Sequence, residues 1–173
     1  MRKLTIGFSK PKNKIFPIFS WLIRLYEGTP YSHVWVRWQT SVGPSVCYHA
    51  AHTTLHFLSD RCFERAITVV ESFDFEVSDE AFNRMLKYSL ETCGNDYALA
   101  GVLIVPILEF FKIKKNPFDV GDKDQYCAEL VCRILGQIEG QDLTFDPDRV
   151  KLKEIYNFVK QKFVDGSLTP QIS

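Results

Sequence analysis

The most constraining feature of this chain is the alternating segment at residues 31–39, YSHVWVRWQ. Successive side chains of a β-strand point to opposite faces of the sheet. The turn-forming TSVGP at 40–44 and the apolar SVCYHAA at 45–51 then predict a β-hairpin. A turn centred near residue 41 puts His33 opposite His49, with both side chains on the same face of the sheet.

The rest of the pattern places strands in the first half of the chain and helices in the second. Residues 3–9 and 66–75 alternate and predict two further strands of the same sheet, with a looser segment between 51 and 64. Helical spacing and end signals predict helices at 17–26, 78–91, 97–111, 125–135 and 149–163. We therefore expect an α+β fold in which a small antiparallel sheet packs against helices, as a single domain over residues 1–173.

Two apolar segments, 15–26 and Leu99–Phe111, bear on contact with membranes. Both are shorter than the roughly 20 residues that cross a bilayer, so we expect no transmembrane segment and interpret both as buried helices, with membrane contact as the alternative. The N-terminus lacks a secretory signal, which predicts a protein that is cytoplasmic when made. The balance of 21 basic and 21 acidic side chains argues against nucleic acid as a partner.

The five cysteines form no CxxC pair and no even framework, which favours reduced thiols over disulfides or a structural zinc site. A zinc site built from His33, His49 and His52 is the competing interpretation. The sequence contains no HExxH pattern and no obvious carboxylate partner for these histidines. We therefore expect no metal and no cofactor.

Cys127 is the first candidate for chemistry because it lies in the first turn of a helix that follows a polar loop, with Asp124 as the expected N-cap. The unpaired N–H groups of a helix N-terminus favour a thiolate and bind a developing oxyanion. The alternative is a buried, inert cysteine. Cys132, in the middle of the same helix, illustrates that alternative and is expected to be a core residue.

His33 is the candidate general base, and the hairpin supplies the reason. A second imidazole from His49 on the next strand would fix the tautomer of His33 and stabilise its charged form. His52 takes this place if the register of the turn differs. His56 lies outside the pattern and is expected to be solvated.

Three strings of this chain together resemble one protein superfamily: PYSHVWVRW, then CGNDYALAGVL, then QYCAELVCRIL. They resemble the circularly permuted branch of the NlpC-type papain-like superfamily, which includes YiiX/YycO-like bacterial proteins and relatives of lecithin–retinol acyltransferase. In that branch the histidine precedes the cysteine, as it does here. The resemblance covers about residues 3–138 and implies a papain-like, permuted NlpC-type domain.

The resemblance also implies roles for individual residues. Cys127 matches the nucleophile of the family, His33 its base and His49 its third polar residue. Tyr97 and the neighbouring Asn95 and Asp96 match a middle motif to which we assign a structural role, although the order N-D-Y departs from the usual Y-D. Ala128 stands where the family often has serine. We further assign oxyanion and substrate contacts to the side chains around the site, namely Tyr31, Gln125 and Tyr126.

The function implied by the resemblance is that of a cysteine peptidase or amidase that acts through an acyl-enzyme. Cell-wall peptides (peptidoglycan) are the first expected substrate class, and acyl transfer or thioester cleavage on a lipid substrate is the alternative. A non-catalytic protein that retains the fold, such as a virion component in contact with other virion proteins, is a further alternative. The general character of the sequence suggests a bacterial or bacteriophage source, with virion association or release by lysis.

Overall fold

The computed structural model describes residues 1–12, 17–40, 43–51, 54–97, 124–138, 143 and 145–166. The predicted helix at 97–111 lies outside this range except for Tyr97, which belongs to a strand and not to a helix. The alternative third residue His52 also lies outside the range. The elements, in chain order, are β1 (Arg2–Pro11), α1 (Pro17–Glu27), β2 (His33–Trp38), β3 (Val46–Ala51), β4 (Thr54–Ser59), α2 (Asp60–Ala66), β5 (Ile67–Val77), α3 (Asp79–Glu91), β6 (Asp96–Tyr97), β7 (Asp124–Gln125), α4 (Cys127–Leu135), a 3₁₀ turn (Pro147–Arg149) and α5 (Leu152–Val164).

One sheet organises the described strands, in the order β5-β1-β2-β3-β4-β6-β7. The first five strands of this order pair antiparallel, and two-residue strands extend the sheet beyond β4. β7 runs parallel to β6, pairing Tyr97 with Gln125. The predicted α+β class with an antiparallel sheet is therefore confirmed. α4 begins two residues after Gln125, so this edge of the sheet directly precedes that helix.

The alternation of β2 divides the packing between two clusters. Val34, Val36 and Trp38 belong to the main core, which also contains the buried residues of α4. Trp35 points the other way and packs edge-on against Phe63 of α2, with ring centroids 4.9 Å apart. The two faces of β2 therefore carry different chemistry: one lies under α4 and the other under α2.

α4 is buried along nearly its whole length, including one carboxylate. Glu129 is only 4% exposed and accepts a hydrogen bond of 2.9 Å from Arg133 Nε, while Arg133 Nη2 donates to Asp148 Oδ1 at 2.6 Å. Burial raises the pKa of Glu129 to about 7, although the charge of Arg133 opposes this rise. The cluster ties α4 to the 3₁₀ turn.

We expect the variant Glu129→Gln to gain stability relative to the wild type as the pH rises from about 4.5 to about 7. Between the ordinary glutamate pKa of 4.5 and the raised value of about 7, the unfolded chain ionises while the folded chain stays protonated. The wild type therefore loses stability with rising pH, and the glutamine variant does not. The difference amounts to at most about 3 kcal/mol, and urea midpoints at several pH values measure it.

His33 acts in the opposite direction, because burial lowers its pKa from 6.5 to about 4 and protonation of the unfolded chain then costs stability as the pH falls. Both chains carry His33, so their difference isolates Glu129. Glu91→Gln, which changes an exposed carboxylate of α3, serves as the control for replacing a glutamate at the surface. A constant difference between Glu129→Gln and the wild type would contradict the prediction.

Several sequence-based boundaries need correction. The segment between 51 and 64 contains β4 and most of α2, because Leu55 and Phe63 supply buried side chains to the two clusters. α4 begins after Tyr126 and not after Asp124, which belongs to β7. The last helix begins at Leu152, after a separate 3₁₀ turn.

Other predictions of helix ends are confirmed. The Ser78 side chain accepts a hydrogen bond from the Ala81 N–H and caps α3. Gly28 follows α1 with a positive φ of 64°, as expected of a glycine at a helix C-terminus. Among the helices of the described residues, none has the length and apolar character needed to cross a membrane.

The expectation that α1 is a buried helix is wrong. Most of its large apolar side chains are exposed, with Ile18 at 67% and Leu25 at 63%. The reason is that the inward face of the helix is largely polar, with Ser20 hydrogen-bonded to Ser32 at 2.7 Å. Helical periodicity locates an apolar face but does not tell which way that face points.

Candidate functional site

Cys127 is the first residue of α4, as the sequence predicts, and it is 3% exposed. The backbone of Val34 on β2 and the backbone N–H groups of Cys127 and Ala128 lie close enough to its sulfur to favour the thiolate. The nucleophile candidate therefore lies where the N-terminus of a helix meets the strand that carries His33.

Burial dominates the electrostatics of this thiol. It raises the pKa of Cys127 to about 12, and the negative charge of Glu27 adds to the rise, whereas the backbone groups at Val34 and Ala128 only partly oppose it. At neutral pH the sulfur is a protonated thiol, so it needs a base to become a nucleophile.

Three histidines from adjacent strands lie together on one face of the sheet. His33 Nε2 and His49 Nδ1 are 3.1 Å apart, within hydrogen-bonding distance, and one of them donates according to the tautomers present. The His49 ring is also 4.6 Å from the ring of His56 and 4.8 Å from that of Phe63. The predicted contact between His33 and His49 is confirmed.

The register that produces this contact differs from the expected one. β2 and β3 pair Arg37 with Cys47, and extending this ladder places Trp35, and not His33, opposite His49. His33 and His49 are therefore diagonal neighbours, which long and aromatic side chains can bridge. A shift of two residues keeps every side chain on its face, so the contact survives the change of register.

His56 is a site residue that the sequence interpretation misplaced. It pairs with His49 across β3 and β4 and is half-buried, not solvated. Its positive charge adds to the effect of burial, which lowers the pKa of His33 to about 4. At neutral pH His33 is thus a neutral imidazole, which can accept a proton but is a weaker base than an exposed histidine. Period-two alternation in 54–59, TLHFLS, was the available signal for His56.

No hydrogen bond joins Cys127 to His33 in the described part of the chain. Val34, whose backbone lies near the sulfur, packs in the cluster that contains Cys127. His33 shares its face of β2 with Trp35, which packs in the second cluster with Phe63. The two reactive groups therefore approach β2 from its two different faces.

The three predicted oxyanion and substrate residues have structural contacts. The Tyr126 hydroxyl donates to Val150 O at 2.9 Å and anchors the start of α4. Gln125 is fully buried and its Nε2 donates to the Tyr88 hydroxyl at 2.8 Å. The Tyr31 ring lies in an aromatic cluster with Phe8 and Tyr156. The backbone N–H groups at the start of α4 are therefore better placed than these side chains to stabilise an oxyanion.

A small cavity opens beside Cys127, with a volume of about 30 Å³, enough for one or two water molecules. The residues that line it come from distant parts of the chain, since both Glu27 of α1 and Leu152 of α5 contribute to the wall. The Glu27 carboxylate accepts hydrogen bonds from the backbone N–H groups of Leu152 and Lys153, at 3.2 and 2.8 Å. The sequence did not indicate a role for Glu27, because no local pattern predicts a hydrogen bond between residues 125 positions apart.

Within the ranges that the structure describes, no group of three or more histidine, cysteine or acidic side chains is arranged to hold a metal ion. No protein-family model matches the sequence. A search among curated proteins likewise finds no match. The case for a function therefore depends on the geometry around Cys127 and on the motifs of the sequence.

Proposed function

We propose that this protein is a cysteine hydrolase that acts through an acyl-enzyme, with Cys127 as the nucleophile and His33 as its base. One observation carries the proposal: Cys127 begins a helix with its sulfur against the backbone of Val34, the residue next to His33, and His33 is within hydrogen-bonding distance of His49. The N-terminus of a helix favours the thiolate of a cysteine, and a histidine that a second imidazole orients is suited to act as a base.

The reaction begins with transfer of the thiol proton to His33. Both groups are neutral at neutral pH, so His33 acts as a general base at the moment of attack and does not hold a preformed ion pair. The sulfur then bonds to the carbonyl carbon of an amide or thioester. The backbone N–H of Cys127 stabilises the oxyanion, the leaving group departs with the proton from His33, and water cleaves the acyl–sulfur bond.

The proton transfer requires the imidazole of His33 to move from its own face of β2 to the face against which the sulfur lies. His33 is the first residue of β2 and is half-buried, so its side chain is less confined than that of Trp35 in the middle of the strand. Hydrogen bonds of catalytic groups are commonly absent or poorly aligned in ligand-free enzymes and form in the substrate complex. As the imidazolium forms, His49 would then either move with His33 and keep their hydrogen bond or lose it.

Peptide amides of the bacterial cell wall are the proposed substrates, as the resemblance to the permuted NlpC-type superfamily suggests. Origin in a bacteriophage, association with a virion and release by lysis belong to the same proposal. A non-catalytic role for a protein that retains the fold is the second candidate. The raised pKa of Cys127 and the lack of a direct hydrogen bond to His33 favour that candidate.

Alkylation by iodoacetamide at pH 7, followed by mass spectrometry of the five cysteines, tests the proposed nucleophile. Cys132 is the matched control, since it lies on the same helix, is fully buried and has a pKa likewise raised to about 12 by burial. We expect Cys127 to react at least about tenfold faster than Cys132, because the proposed base His33 takes up the proton of Cys127 as its sulfur is alkylated. His33→Ala should remove this advantage.

The exposed cysteines Cys62 and Cys93 serve as internal controls in the same experiment. Their alkylation shows that the reagent is active. Equal, slow alkylation of Cys127 and Cys132 in the wild type would favour the non-catalytic candidate. A fast Cys127 that is indifferent to His33→Ala would retain the nucleophile but exclude His33 as its base.

A further inference from the structure

Helix α1 presents an apolar surface to solvent that is unusual for so short an element. Its exposed large apolar side chains are Ile18, Phe19, Trp21, Leu22, Leu25 and Tyr26. At about 100° per residue these six positions cover a continuous arc of about 160° around the helix. More than a third of each side chain is accessible, and three of the six are more than half exposed.

The opposite face of α1 holds the helix to the protein mainly through polar groups. Ser20 bonds to Ser32, and Glu27 accepts two backbone hydrogen bonds from the start of α5. Ile23 packs against the main core. Helices of globular proteins normally turn their apolar stripe inward. α1 does the reverse, and within the described part of the chain no element covers its outward apolar face.

Two basic side chains lie on or beside α1. Arg24 lies on α1 itself, and the Lys151 Nζ lies 5.7 Å from the centre of the Tyr26 ring. The single carboxylate of the helix, Glu27, is turned inward onto the N-terminus of α5. The apolar arc therefore has cations beside it and no outward carboxylate of its own.

We propose that α1 binds the surface of an anionic membrane, lying in the plane of the interface with its apolar arc among the upper acyl chains. Helices of this kind combine an apolar face rich in Trp and Leu with flanking basic residues. Tryptophan and tyrosine suit the interface because each has an apolar ring and a polar group. This proposal is independent of the chemistry proposed for Cys127.

A second copy of the chain is the weaker candidate for the occupant. A helix of 11 residues is about 16 Å long and about 10 Å wide. Symmetric contact through this helix alone falls short of the roughly 800 Å² per partner that a stable interface buries. A bilayer needs no complementary shape and covers the whole arc.

Vesicle co-sedimentation with tryptophan fluorescence tests the proposal on the full chain. The sequence has three tryptophans: Trp21 is 53% exposed, and Trp35 and Trp38 are each 1% exposed. We expect binding to vesicles of phosphatidylglycerol and phosphatidylcholine, with a blue shift of the emission that Trp21→Phe removes. Binding to pure phosphatidylcholine should be at least about tenfold weaker, because the basic residues then lack a counter-charge.

Leu25→Glu should weaken binding to the anionic vesicles by at least about tenfold, because it places a carboxylate in the apolar arc. Leu90→Glu changes another exposed leucine, 59% accessible on α3, and should leave binding unchanged. Cys127→Ala should also bind normally. Failure to bind anionic vesicles, equal binding to neutral ones, or a dimer at the same concentration that Leu25→Glu dissociates would each overturn the proposal.

Discussion

Replacing Cys127 by alanine should abolish the release of soluble fragments from purified peptidoglycan by the protein. Without the sulfur no acyl-enzyme forms, and loss of a catalytic nucleophile typically costs a factor of 10³ or more in rate. The folded state should survive, since the change removes one sulfur atom from the first turn of α4. Newly formed amino groups measure the reaction, because hydrolysis of an amide bond produces one amine for each bond cleaved.

Cys132→Ala is the matched control for this experiment. It removes a sulfur from the same helix and the same core, so it reproduces any loss of packing without touching the proposed nucleophile. We expect it to retain activity within about tenfold of the wild type. Cleavage that persists in Cys127→Ala would contradict the assignment of the nucleophile. Lack of cleavage by the wild type would contradict peptidoglycan as the substrate.

Gly7→Ala should destabilise the protein by about 3 kcal/mol, the upper end of the usual penalty for overpacking. Gly7 pairs with Trp35 across β1 and β2. A Cβ added at Gly7 would lie 2.1 Å from Trp35 Cζ2 and 2.4 Å from Cε2, far inside van der Waals contact. The indole is buried and packs against Phe63, so it has little room to yield. Chemical denaturation measures the loss.

A double-mutant cycle with Trp35→Leu identifies the cause. In the leucine background the space beside Gly7 opens, and Gly7→Ala should cost much less, giving a coupling of about 1–3 kcal/mol. Gly43→Ala is the control, because an added Cβ there meets no atom closer than 3.9 Å; its effect should stay within about 0.5 kcal/mol. Additive costs in the cycle would mean that Gly7 matters for another reason.

The packing of Gly7 on Trp35 also bears on the candidate site. The same ladder between β1 and β2 pairs Ser9 with His33. A side chain at position 7 that pushed Trp35 aside would disturb the strand that carries His33, two residues away. Stability and the placement of the proposed base are therefore linked through one cross-strand pair.

Local periodicity was sufficient to predict many of the elements and one contact of the site. The alternation in 31–39 predicted β2 and the separation of His33 from Val34, because side chains of a strand alternate whatever the rest of the fold does. The contact between His33 and His49 needed only the hairpin and the correct face, so it was predicted despite the wrong register. The start of α4 at Cys127 followed from the helical pattern within two residues.

The errors arose where the outcome depended on distant residues. The sequence predicted α1 as a helix but did not predict which of its faces is buried. That orientation depends on the hydrogen bonds that join Ser20 to Ser32 and Glu27 to the start of α5. His56 was taken as solvated because β4 was not recognised as the neighbour of β3. In both cases the sequence pattern predicted the local structure but not the distant residues that it contacts.

The sequence by itself determined the α+β class, the hairpin with its two histidines, and a cysteine at the start of a late helix, since these follow from side-chain periodicity and helix-end chemistry acting over a few residues. The tertiary structure alone decided which face of β2 the sulfur of Cys127 meets, that Glu27 shares its cavity, and that α1 turns its apolar side outward. Those features depend on which segments pack together across long separations, and free energies of burial and long-range hydrogen bonding settle that only when the whole chain has folded.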